Sequence, residues 1–322
     1  MSKKIAGMGL VVIAAVLWGS IGVVVSALFG SLTIAPLTVG AIRLVFAAPL
    51  LLGWHRVVSG RWRFAMPARH HLLIVLGGFA FAGYQVAYFA AIPQIGVALA
   101  VMCNICSAPI VTAVVARIIL HERLRRGQWW ALLGAVGGAV LLVYGGKPSV
   151  GGSLLFGVSC AVTAGVCYSI MAIVSRQVAP YHAPATPLAY MFGVAAVALT
   201  GVLVLTQPVD LALSPLAWLG LGYLALVPTG ISYVLYVRGL QQVTATTATT
   251  LTLCEPLTST ILAVLILGEH LSSSAWFGAG VMFCCLVVFA WAQAGHTRQQ
   301  AQSDNHDQYD GHDGPSRTAT GR

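Results

Sequence analysis

Ten apolar runs separated by short polar breaks make up most of this chain. They cover about residues 6–28, 36–58, 70–91, 97–117, 128–146, 152–175, 186–206, 214–237, 243–267 and 273–294. A hydrocarbon core about 30 Å thick needs roughly 20 apolar residues of helix, and each run meets or approaches that length. The pattern predicts an all-α integral membrane protein of ten transmembrane helices. The breaks leave no room for an extramembrane domain, so neighbouring helices are expected as packed hairpins. Only the end differs. "HTRQQAQSDNHDQYDGHDGPSRTATGR" is polar, rich in Gln, Asp and His and without periodicity, which predicts a disordered tail over 296–322.

Composition agrees. The chain is 58% hydrophobic and 8% charged, against roughly 25% charged for a soluble domain. The first residues have a basic start and an apolar core, as in a signal peptide. The run continues to about Leu28 and has an internal counterpart, so it is read as a retained helix.

The net charge of +9 could point to nucleic acid, but the basic residues lie between apolar runs. With a cytoplasmic N-terminus, fifteen of the seventeen Lys and Arg fall on the inner side; Lys147 is outside and Arg43 lies within a span. That bias predicts cytoplasmic N- and C-termini and an even number of helices in the plasma membrane, and gives no role to nucleic acid. All seven cysteines fall in apolar runs, where they pack as small polarisable side chains. "CNIC" at 103–106 has no second pair, so no metal and no cofactor is expected.

Self-comparison changes the picture more. Gln94 and Gln241, Ala98 and Ala245, Pro109 and Pro256, Glu122 and Glu269, Leu124 and Leu271, and Trp129 and Trp276 are each 147 residues apart. "VLWGS" at 16–20 aligns with "VCYSI" at 166–170. Each half, 1–147 and 148–295, then holds five helices. Five is odd, so the halves are predicted to insert in opposite directions. Inverted repeats place a site near the midplane and let it open to either side. No GxxxxGK[ST] is present, so an ion or substrate gradient is the expected energy source. There is no HExxH and no pair of acids, which argues against an intramembrane enzyme. The expected partners are a small-molecule substrate and the lipid bilayer, with monomer and homodimer both open.

"LWGS" in the first run, "AIRLVFAAPLLL" in the second and the Pro-x12-Glu segments ending "HERL" and "GEHL" resemble the ten-helix EamA-type family of the drug/metabolite transporter superfamily. The resemblance covers roughly residues 5–295. It implies an exporter of amino acids, related metabolites or small drugs; other branches carry sugars or nucleotide sugars. "HER" departs from the family's Gly-Glu pair.

Glu255 is the one acid within a span. It lies 12 residues from either end of its run, about 18 Å at 1.5 Å per residue, near the bilayer centre. A charge there costs at least about 2.5 kcal/mol. A carboxyl that exchanges its proton when water arrives is a coupling residue; one bonded to neighbouring Thr or Ser is an anchor. Its register partner is Ala108. Arg43, the one base within a span, could hold a substrate carboxylate, pair with Glu255 or snorkel to the external headgroups. Pro109 and Pro256 predict matched kinks, beside a cavity or for packing alone. Trp18 and Tyr168 form a matched aromatic pair, and Tyr84, Tyr88, Tyr233 and Tyr236 add rings that could line a pocket or sit in interfacial belts. Asn104 and the threonines of "TATTATTLT" could line the path or join helices. Glycines at 134, 137, 138, 278 and 280 predict close packing of the fifth and tenth helices. Glu122 and Glu269 are expected to complement the N-terminal dipole of the helix that follows each.

Overall fold

The computed structural model describes residues 3–29, 35–60, 66–144, 152–206, 213–268 and 272–310. It is helical, with no strand among those residues: α1 Lys3–Phe29, α2 Pro36–Ser59, α3 Ala68–Ile119, α4 Arg126–Tyr144, α5 Leu154–Val178, α6 Ala185–Thr206, α7 Pro215–Leu224, a π-helical turn Ala225–Ile231, α8 Ser232–Leu240, α9 Ala245–Leu251, α10 Cys254–Leu267 and α11 Ser273–Asp310. Nine segments among the described residues are long and apolar enough to cross a membrane. The run expected at 128–146 falls on α4, which reaches the edge of the described residues.

Side chains set the helix ends. Ser153, Ser214 and Thr244 each accept from the amide three residues on, at 3.4, 3.2 and 3.1 Å, satisfying donors that the first turn leaves free. Two runs expected as separate helices join in α3, whose path breaks at Gly96, with φ 76° and ψ 161°. Only glycine adopts that backbone freely.

The two prolines behave differently. The helix runs without interruption through Pro109, whereas Thr252 and Leu253 interrupt it before Pro256. Pro256 has no N–H for the Thr252 carbonyl, which accepts from Glu255 N instead, at 2.9 Å. Thr252 Oγ1 donates to Thr249 O, and Thr249 and Thr250 donate to carbonyls three or four residues back. Such hydroxyls compete with the helix ladder. The first-half residues in register, Leu99, Met102, Cys103 and Ile105, carry none. Thr249, Thr250 and Thr252 thus bond their own backbone, while Thr246 and Thr247 bond Glu122 and Gln293 elsewhere in the chain.

The last helix continues to Asp310, past residue 296 where composition predicts disorder. Residues 296–310 contain no Gly or Pro, and Gly311 follows the helix end.

Packing is pairwise: α3 with α5, α4 with α11, α2 with α6, α1 with α10 and α8. Gly138 and Gly278 sit where a β-carbon would strike the other helix's backbone, so α4 and α11 meet closely. The main core draws on α1, α2, α3, α5, α6, α8 and α9. Outside it, large side chains such as Trp54, Trp130, Leu155, Leu205 and Trp291 are exposed. In water this skin would aggregate; against lipid tails it costs nothing.

Candidate functional site

The residues singled out in the sequence converge on the middle of this core. Trp18 of α1 lies on Tyr233 and Tyr236 of α8, with ring centroids 4.8 and 5.4 Å apart. Phe81 of α3 stacks on Phe192 of α6 at 5.2 Å and meets Tyr233 at 5.4 Å. Tyr84 adjoins Tyr88 at 6.1 Å and Tyr168 of α5 at 5.8 Å. Tyr168 closes the ring against Tyr236 at 6.5 Å. These rings form one continuous box.

Arg43 and Glu255 enter this box from α2 and α10. Both are half-buried. Glu255 lies within electrostatic range of Arg43, Tyr84, Tyr88 and Tyr168. Arg43 reaches across to the π-helical turn. Its Nε donates to Thr229 Oγ1 at 2.9 Å, and its charge sits beside Tyr233 and Tyr84. Thr229 can accept because of the π-helical turn. Pro228 has no N–H to offer the Leu224 carbonyl, so Thr229 Oγ1 donates to it at 2.7 Å, and Ser232 Oγ donates to the Pro228 carbonyl. The Thr229 hydroxyl is thus fixed, and its remaining lone pair anchors the guanidinium between helices.

Four buried polar atoms around the box have no hydrogen-bond partner: Trp18 Nε1, Asn104 Oδ1, and the Tyr168 and Tyr236 hydroxyls. Thr112 Oγ1, on α3, is the other atom of this kind among the described residues. Asn104 stands beside the Tyr84 phenol, and the Tyr168 and Tyr236 hydroxyls are neighbours. Each unsatisfied group costs about 1–3 kcal/mol. These groups lie together in the middle of the core, on the helices that carry the aromatic box.

Two features have little signal in the sequence. One is the Pro228–Thr229 pair, marked only by a proline inside an apolar run. The other is Glu122. It does not serve the helix that follows it: its carboxylate accepts from Ala245 N, Thr246 N and Thr246 Oγ1 at 2.8, 3.1 and 2.9 Å, at the start of α9. Glu269 lies outside the described residues. The turn that carries Glu122 keeps the left-handed form despite "HER": His121 has φ 55°, and Gly268, 147 residues on, has φ 68°.

A separate polar network joins helix ends. His70 Nδ1 lies 2.9 Å from His182 Nε2, and Gln241 Nε2 donates to the Ala179 and His182 carbonyls at 2.7 and 3.2 Å. Burial, with the nearby His70 and His71, pushes the His182 imidazole below its ordinary pKa.

An apolar, lipid-facing exterior around a polar and aromatic centre built from several helices defines a multi-pass membrane protein of the transporter class. The EamA-like transporter family matches residues 5–144 and again 155–291, and the chain belongs to that family. It is similar to the "Uncharacterized transporter YwfM" of Bacillus subtilis, 33% identical over 287 residues, spanning 88% of this chain and 93% of that protein. It is also similar to the "Uncharacterized inner membrane transporter YicL" of Salmonella typhimurium, 27% identical over 297 residues, 88% of this chain and 95% of that one. A solved crystal structure matches with a TM-score of 0.76 at 19% identity, covering 88% of this chain and 95% of that chain, a likeness of fold alone.

Proposed function

We propose that this chain is a secondary exporter of a small organic metabolite such as an amino acid. It works by alternating access between two inverted five-helix halves, 1–147 and 148–295, of a ten-span protein with cytoplasmic termini in the plasma membrane. The observation that carries the reading is the convergence of Arg43, Glu255, Asn104 and the rings of Trp18, Tyr84, Tyr168, Tyr233 and Tyr236 in one aromatic box. An anion and a cation held apart among aromatic rings suit a zwitterion, with Arg43 for a carboxylate and Glu255 for an ammonium. Glu255 also exchanges the driving proton.

The inversion has support in the packing. Gly19 of α1 lies against the Glu255 carbonyl and Thr258. Ser169, aligned with Gly19, donates to the Ala108 carbonyl at 2.9 Å, and Ala108 aligns with Glu255. Gly7 packs on Gln242 as Gly157 packs on Ile95, its match in the 147-residue register. Each half thus docks the same helix beside the matching proline of the other. The name of the Salmonella relative supports a plasma-membrane location.

A lipophilic cation is the second reading, since a carboxylate ringed by aromatic faces suits one; sugars or nucleotide sugars are the remaining class. A thermal-shift screen of amino acids, sugars and lipophilic cations separates these. Stabilisation by amino acids, lost in both Arg43→Ala and Glu255→Ala, is expected. Stabilisation by cations that survives Arg43→Ala would move the assignment to drug efflux. In proteoliposomes, Glu255→Gln is expected to remove the pH dependence of transport; unchanged dependence would end its coupling role.

A further inference from the structure

Glu122 lies outside the central box and outside the apolar runs, yet three donors from the other half of the chain converge on its carboxylate. The reach is built in. The amides of Leu120 and Glu122 both bond the Ala116 carbonyl, at 2.9 and 3.1 Å. That closure forces His121 into the left-handed region, at about 1–2 kcal/mol for a residue with a β-carbon. The turn swings Glu122 away from its own helix and towards α9.

What it grips is a separable piece. α9 has seven residues, all buried, and the hydroxyls of Thr249 and Thr250 donate to its own carbonyls. One end is held by Glu122, with Gln293 of α11 donating to Thr247 Oγ1 at 2.8 Å beside it. The other end is the Thr252–Leu253 interruption, and Glu255 lies in the first turn of the helix that follows. Tyr236 of the aromatic box lies within electrostatic range of Glu122. α9 packs against α1, α3, α5 and α8, the helices that carry the rings of the box, so this short helix sits against the site, interrupted near the proposed coupling residue and latched at its far end.

We propose that Glu122 is a clasp that holds α9 closed over its end of the site, and that its release lets α9 swing on the Thr252–Leu253 hinge to admit solute from that side. The inference rests on the alternating-access reading. A carboxylate suits a clasp of this kind. Its two oxygens face three donors, the bonds are charge-assisted, and negative charge is favoured at a helix N-terminus. A glutamine would present one oxygen and turn an NH₂ towards donors.

The test places a reporter, Thr250→Cys, in a protein whose seven native cysteines are replaced. Thr250 is fully buried on α9. Labelling by a membrane-impermeant maleimide is timed in right-side-out and inside-out vesicles. Losing bonds to a charged group predicts that Glu122→Ala speeds labelling from the Glu122 side about tenfold or more, with Glu122→Gln between and no gain from the opposite side. Should Glu122→Ala fold poorly, Glu122→Cys with Ala245→Cys gives the reverse arm. Their disulfide is expected to block labelling from that side, and reductant to restore it. Equal change on both sides, or a disulfide that leaves labelling untouched, overturns the clasp while leaving alternating access standing. A reporter that neither the parent nor any variant exposes overturns both.

Discussion

At Pro109, α5 meets α3 through a hydrogen bond, from Ser169 Oγ to the Ala108 carbonyl at 2.9 Å. At Pro256, α1 meets α10 by contact alone. A β-carbon on Gly19 would stand 2.7 Å from Thr258 Cβ and 2.9 Å from the Glu255 carbonyl oxygen. Both crossings use the carbonyl before a proline, one satisfying it with a hydroxyl and the other fitting against it with a bare backbone. In neither does the architecture use the side chain before the proline. That residue is alanine in one crossing and glutamate in the other, so the second could acquire chemistry without cost to the crossing.

The comparison breaks most visibly at the steric crossing. Gly19→Val forces α1 off α10, and we expect a loss of about 2–3 kcal/mol in detergent unfolding. A loss no larger than for a lipid-facing glycine would show that the contact is loose. Ser169→Ala removes one buried hydrogen bond and should cost about 1 kcal/mol; Ser169→Gly, which imitates the other crossing, should not recover it.

The turns after the two helices sharpen the contrast. His121→Gly relieves a left-handed residue and is expected to stabilise by about 1 kcal/mol, while Gly268→Ala costs about as much. Thermal unfolding of both decides whether the same turn is strained in one half only. The smallest effect belongs to His182. Its folded-state pKa lies below the ordinary 6.5, so the unfolded chain takes up its proton first. Its stabilising contribution is complete above about pH 6.5 and is lost as pH falls through the folded value. His182→Gln should flatten that part of the stability–pH curve, and a slope left intact would assign it to other groups.

Much of this is legible in the chain. Apolar run lengths give the spans, and the 147-residue register gives the paired prolines and turns. Trp18, Arg43, Tyr84, Tyr88, Asn104, Tyr168, Tyr233 and Glu255 each stand out as polar or aromatic groups within runs, and they meet. What the chain hides depends on competition within the backbone. Threonine hydroxyls interrupt the helix before Pro256, where their apolar counterparts leave Pro109 continuous. Likewise, no spacing rule reveals that Glu122 serves a helix more than a hundred residues away, because that contact exists only once the halves are docked.

The π-helical turn at 225–231 carries one residue more than α-helical winding would use. Each α-helical residue advances the face by about 100°, so the surplus residue sets the angular phase of everything in α8. Tyr233, Tyr236 and the Thr229 anchor of Arg43 point inward on the strength of that single surplus. Seen as lineage, one codon gained or lost here would re-aim Tyr233 and Tyr236 together while barely altering composition or hydropathy. A one-residue difference in length within 225–231 is therefore the gap to look for first when relatives are aligned.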